Sequence, residues 1–154
     1  MKEIENPFAD FTIPTYQQIP DVGLYLDQVV KYINSFFTDY PDMMITGSML
    51  TNYVKQKVVP RFNRKTYVRD QIACFFFIAL SKSVLSIEHI RKLIEESRTP
   101  SFQEYYDSFR DLLLNELQKQ KSREEKTVTD YLVIAIAHKM FLEKYFSVLE
   151  ETVS

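Results

Sequence analysis

From Met43 to Arg69 the chain carries Lys55, Lys57, Arg61, Arg64, Lys65 and Arg69 without one Asp or Glu between them. The 154 residues hold 19 Lys and Arg against 21 Asp and Glu, so setting those six aside leaves 13 cations facing 21 acids. A segment of charge +6 thus sits in a remainder of charge −8. Solvated surfaces ordinarily mix both signs, and a one-sign island inside an acidic chain is the footprint of a surface that meets a polyanion, most often nucleic acid. The plainer reading is a basic loop that balances nearby carboxylates. The order of residues inside the island has to separate the two.

Taken as a helix from about Gly47 to Lys57, the island sets Leu50, Tyr53, Val54 and Lys57 on one stripe and Ser48, Thr51, Asn52 and Lys55 on the other. Thr46 or Ser48 can cap its start, and Pro60 disfavours continuation past Val59. The outer face has the chemistry to read a major groove: Asn52 suits an adenine edge, Thr51 a thymine methyl, and Lys55 guanine or phosphate. The following run, Pro60 to Tyr67, has turn formers at its centre and β-favouring residues at its end. It predicts a short β-hairpin, or wing, from which Arg61, Arg64 and Lys65 hold the sugar-phosphate backbone. With no glycine at its tip, Asn63 is the residue expected to take the left-handed turn. The candidate DNA-binding residues are therefore Thr46, Ser48, Thr51, Asn52, Lys55 and Lys57 on the helix, and Arg61, Asn63, Arg64, Lys65 and Tyr67 on the wing.

These residues need a scaffold, and the flanking sequence supplies helices. Upstream, Leu26, Val29, Val30, Ile33 and Phe37 repeat at helical spacing between about Asp21 and Thr38, as the first member of a helix-turn-helix. Downstream, Asp70 to Leu80 is apolar on almost every side, too short to cross a membrane and so a buried helix. Ser86 then caps a helix whose inner stripe is Ile87, Ile90, Leu93 and Ile94. The expected fold is all-α, a winged helix-turn-helix with a hairpin wing and additional C-terminal helices. The expected organisation is an extended N-terminal arm over 1–18, the winged domain over 19–98, and a helical dimerisation or regulatory region over 99–154.

The run from Ile45 to Ile94, with Leu50-Thr-Asn-Tyr-Val-Lys55, Pro60 to Tyr67 and the closing Leu85-Ser-Ile-Glu-His-Ile-Arg-Lys-Leu-Ile94, resembles the winged-helix DNA-binding domain of the mercury-resistance-regulator (MerR) family. It is closer still to a bacterial family known as domain of unknown function 1836, which also shows a segment like Ile19-Pro-Asp-Val-Gly-Leu-Tyr-Leu-Asp-Gln28. The resemblance implies a transcription-factor-like protein. Where those regulators place Arg-Tyr-Tyr on the recognition helix, this chain has Thr51-Asn52-Tyr53, which implies a different sequence preference.

Beyond Pro100 two more helices are expected, about 102–121 and 127–150. In the second, Tyr131, Ala135, His138, Leu142, Tyr145 and Leu149 alternate four and three like a coiled-coil seam, so these six are the expected homodimer interface. Tyr105, Tyr106 and Phe109 have the spacing of core rather than of an effector pocket, and any small-molecule effector stays unidentified. Catalysis is not expected. Cys74 lies in the apolar helix, His89 on a charged helix and His138 on an apolar stripe, and there is no paired cysteine or His-x-x-x-His spacing for a metal. Only two glycines, Gly23 and Gly47, leave no phosphate-binding glycine loop. No cofactor, no metal and no membrane contact are expected. A lone cysteine and a polar N-terminus point to the cytoplasm. The reading is a sequence-specific DNA-binding regulator that partners double-stranded DNA as a dimer; the alternative is a helical protein-interaction module on a regulator-like scaffold.

Overall fold

Capping chemistry sets most helix starts in the computed structural model, which describes residues 8–119 and 126–153. Among them are helices α1 (Leu26–Asn34), α2 (Gly47–Lys55), α3 (Arg69–Ser81), α4 (Ile87–Glu96), α5 (Phe102–Lys119) and α6 (Val128–Val153). Thr46 accepts the Met49 N–H at 3.2 Å to open α2, and Ser86 accepts the His89 N–H at 3.2 Å to open α4. At α1 and α3 a glutamine reaches back instead: Gln28 accepts the Tyr25 N–H at 2.9 Å, and Gln71 the Val68 N–H at 3.0 Å.

The β-hairpin wing expected over Pro60–Tyr67 is absent, and no strand forms among the described residues. Tyr67 instead makes a single antiparallel bridge to Leu24, donating to its carbonyl at 2.7 Å and accepting its N–H at 3.1 Å. With both backbone groups committed there, Tyr67 is unavailable to close a hairpin on Pro60 or Arg61. The tip is tighter than a hairpin turn: the Arg64 N–H donates to the Phe62 carbonyl at 2.8 Å, a three-residue γ-turn around Asn63. Asn63 stays out of the left-handed region, which Lys57 enters with φ 61°. The segment is a loop, and the fold is all-α without a wing.

The same bridge explains why α1 begins at Leu26 rather than near Asp21. Gly23 turns at φ 74°, and a Cβ there would lie 2.7 Å from the Thr66 hydroxyl, so residues before Leu24 must run past the loop rather than into the helix. At its other end α1 stops at Asn34, whose side chain is committed to the α2 side of the connection.

Helix α3 is the axis of the core. Every residue from Gln71 to Leu80 is buried. Phe76 meets the rings of Tyr32, Phe36 and Phe37 at 5.8, 5.4 and 6.2 Å, while Phe77 meets Phe102, Tyr105 and Phe109 of α5 at 6.5, 5.6 and 4.9 Å. Tyr105, Tyr106 and Phe109 are thus packing residues. The N-terminal arm wraps its own domain: Ile13 and Ile19 are fully buried, and the Tyr106 hydroxyl and Arg110 Nε donate to the Pro14 and Ile13 carbonyls at 2.7 Å each. Tyr16 N–H donates to Asp107 at 2.8 Å.

The chain divides into two compact units, Asp10–Glu116 and one built around α6. In the second, Thr127 and Asp130 exchange hydrogen bonds at the start of α6, with Phe146 buried near its end. No helix among the described residues is long and apolar enough to cross a membrane.

Candidate nucleic-acid interface

Three contacts fix α2 against α1. Asn34 donates from Nδ2 to the Ile45 carbonyl and accepts the Ile45 N–H through Oδ1, both at 2.9 Å, a two-point clamp just before the cap. Gly47 lies against Leu26, at 3.4 Å from where its Cβ would stand. Leu50 is fully buried, with Tyr53 and Val54 half-buried beside it. The apolar stripe read from the sequence is therefore the inner face, and burial raises the Tyr53 phenol pKa. Lys57 departs from that stripe. It is exposed and sits just past the helix, where its N–H donates to the Val54 carbonyl at 3.1 Å while Val58 N–H donates to Tyr53 at 2.9 Å. This is the paired closure that usually employs glycine at the left-handed position.

The remaining α2 candidates, Thr46, Ser48, Thr51, Asn52 and Lys55, are all exposed. Thr46 is engaged as the cap. The Thr51 hydroxyl donates back to the Gly47 and Ser48 carbonyls, at 3.2 and 3.0 Å, so what it presents outward is its methyl and an acceptor lone pair. Asn52 and Lys55 have free reach, and together they give the face an amide that can both donate and accept, and a cation.

Arg61, Asn63, Arg64 and Lys65 are also exposed on the loop. Tyr67 is not: it is half-buried, its ring lies 5.6 Å from Phe75, and burial raises its pKa, so its place is at the loop's base. Gln71, nearly buried, holds the other base by donating to the Pro60 carbonyl at 2.9 Å. Between these anchors the loop and the inner edge of α2 enclose an open groove of about 460 Å³, with Val54 on one wall and Arg61, Phe62, Arg64 and Lys65 around it. On the helix circumference Val54 lies next to Thr51, one turn away, so the groove opens near one edge of the polar face of α2.

Charge pairing separates two populations of cations. Arg69 turns inward, donating to the Ile19 and Gln17 carbonyls at 2.8 and 3.2 Å and lying 3.7 Å from Asp21. Elsewhere Arg91 pairs with Glu88 and Glu95, Arg98 with Asp70 at 3.0 Å and Arg110 with Asp111 at 3.2 Å. Lys55, Lys57, Arg61, Arg64 and Lys65 are exposed and no ion pair reaches any of them among the described residues, as is also true of Lys31 and Lys144; what sets the five apart is their closeness in the chain. Of the six cations in the basic island, Arg69 alone lies within ion-pair distance of a carboxylate among the described residues.

The remaining candidates lie elsewhere. On α6, Tyr131 and Tyr145 are 39% and 49% exposed, Ala135 and His138 are exposed, and Leu142 and Leu149 are half-buried. Leu132, Ile136 and Met140 form an exposed apolar stripe on a neighbouring face, which the four-three pattern did not select. Burial pushes the Cys74 thiol pKa up, Asp70 adds to it, and the Arg98 guanidinium at 3.4 Å only partly opposes them. Sequence reasoning missed Asn34, Gln71 and Phe62. The first two are polar residues on apolar helices, a signal of side chains that clamp backbone; Phe62 is an aromatic enclosed by cations.

The family model described as Domain of unknown function (DUF1836) matches residues 14–112, more than half of the chain and all of the interface above. No curated protein and no solved structure matches the chain. The chain belongs to that family.

Proposed function

We propose that this member of the family is a DNA-binding transcriptional regulator. The observation that carries the reading is the set of five exposed cations, Lys55, Lys57, Arg61, Arg64 and Lys65, that follow one another from the end of α2 through the next loop and meet no carboxylate among the described residues. In this reading α1 and α2 act as a helix-turn-helix of the kind found in mercury-resistance-type regulators, without their hairpin wing. Helix α2 presents Thr51, Asn52 and Lys55 to base edges in the major groove. The loop cations meet phosphates and set the register without reading sequence. The protein works in the cytoplasm, without enzymatic activity of its own.

A second copy completes the assembly. The exposed apolar residues of α6, including Leu132, Ile136, Met140 and Phe141, support a homodimer, which would present two α2 helices to successive half-sites. The same exposed face supports the other reading, a helical module that binds a protein partner.

Selection of duplexes from a random pool distinguishes them. The regulator reading expects enrichment of a sequence arranged as two related half-sites, with Asn52→Ala losing the enrichment. A folded protein that enriches no duplex transfers the function to the interaction module.

A further inference from the structure

We infer that Phe62 is an apolar wedge that enters a base step from the minor groove beside the site read by α2. The inference rests on the DNA-binding reading above and specifies how the loop engages the duplex. Phe62 is 45% exposed, whereas every other described phenylalanine of the Asp10–Glu116 unit is buried or half-buried. Its ring makes no ring contact among the described residues. Its neighbours Arg61, Asn63, Arg64 and Lys65 are all exposed and polar or cationic.

That setting restricts the partner. An apolar ring beside uncompensated cations calls for a partner that offers apolar surface and negative charge together. It matches a ligand that is anionic outside and apolar inside, and a stacked duplex has that construction. Minor-groove proteins use Arg, Lys and Asn along the groove and insert Phe, Leu, Ile or Met between bases. The loop carries Asn63 for the first role and Phe62 for the second, with Arg61, Arg64 and Lys65 on the phosphates that border the groove.

The loop is also held ready. Gln71 bonds the Pro60 carbonyl at 2.9 Å, the Arg64 N–H closes a γ-turn on the Phe62 carbonyl at 2.8 Å, and Tyr67 is bonded to Leu24 on both sides of its backbone. Insertion therefore orders little additional chain. The groove that includes Phe62 also includes Val54, so the loop lies directly beside α2. A wedge favours steps that unstack easily, pyrimidine–purine steps above all, which gives sequence preference at a position where no hydrogen bond is made.

The test uses the full chain and a duplex recovered from a random pool, with 2-aminopurine placed in turn at each step flanking the selected sequence. Wild type is expected to raise the probe's fluorescence severalfold at one flanking step. Phe62→Ala should abolish that rise and the preference for a flexible step while keeping the salt dependence of binding, and Phe62→Leu should retain much of both. Salt-dependent binding with no rise at any step, or an equal rise with Phe62→Ala, overturns the wedge and leaves the DNA-binding reading standing. Failure of the folded protein to bind any duplex overturns both.

Discussion

Asn52 and Arg64 are both exposed, yet their chemistry predicts different losses on truncation. Asn52→Ala should weaken the selected sequence by about 1–3 kcal/mol, the value of a bidentate amide–adenine contact, and leave unrelated duplexes unaffected. Arg64→Ala should weaken every sequence alike and lower the salt slope by about one. Competition titrations across salt separate the two. Lys57 offers a sharper case because its backbone and its charge pull in opposite directions. A lysine at φ 61° costs about 1 kcal/mol relative to glycine. Lys57→Gly should therefore raise stability in urea by about that much while reducing duplex affinity. The charges and the outer face of α2 were legible in the sequence because residue type and helical spacing carry them. The left-handed Lys57 was not, since nothing in a lysine marks the position where a helix closes.

Helix α3 was the most legible element, because a long apolar run admits few alternatives to burial. Phe76→Ala should cost about 3–5 kcal/mol of folding stability, given its full burial among three aromatic rings. Helix α4 was equally plain from its Ser86 cap and its inner isoleucines. The hairpin failed for a definite reason: a turn-like segment says only that the chain bends, while the strand partner of Tyr67 is Leu24, far outside any local window. The start of α1 moved for the same reason. The arm makes a prediction of its own. Burial, with the nearby Asp70 carboxylate, pushes the Tyr16 phenol up to about 12 from its ordinary 10.0. Between those values the folded state holds a proton that the unfolded chain releases, so stability should fall as pH rises from about 10 to about 12. Alkaline unfolding followed by circular dichroism should show that slope, and Tyr16→Phe should make it shallower, with burial of Tyr32, Tyr53, Tyr67 and Tyr106 supplying the remainder.

The whole chain carries a local charge opposite to its net charge of −2, and it exposes a long apolar face on α6. In the proposed reading the two features divide the labour, one unit for the duplex and one helix for a second copy. Ile136→Glu and Met140→Glu place charge on that face at residues 49% and 67% exposed, and each should shift sedimentation from dimer toward monomer without unfolding the Asp10–Glu116 unit. A wild type that sediments as a monomer at micromolar concentration contradicts the dimer. The sequence made the apolar character of α6 legible; of the six residues of its four-three pattern Tyr131, Ala135, His138 and Tyr145 are exposed and Leu142 and Leu149 half-buried, and the exposed Ile136 and Met140 lie beside them. The DNA-binding reading holds that the uncompensated cations of α2 and of the loop after it engage a duplex, Lys55 at a base edge and the others at phosphates. Duplex affinity of the full chain, measured as salt is raised, decides it. The expected result is a linear fall of log affinity with log salt, of slope up to about −3.6 per chain for four phosphate contacts, and a shallower slope when Arg61, Arg64 and Lys65 are changed together to Gln. A folded protein that binds no duplex at low salt, or binds with an affinity indifferent to salt, contradicts it.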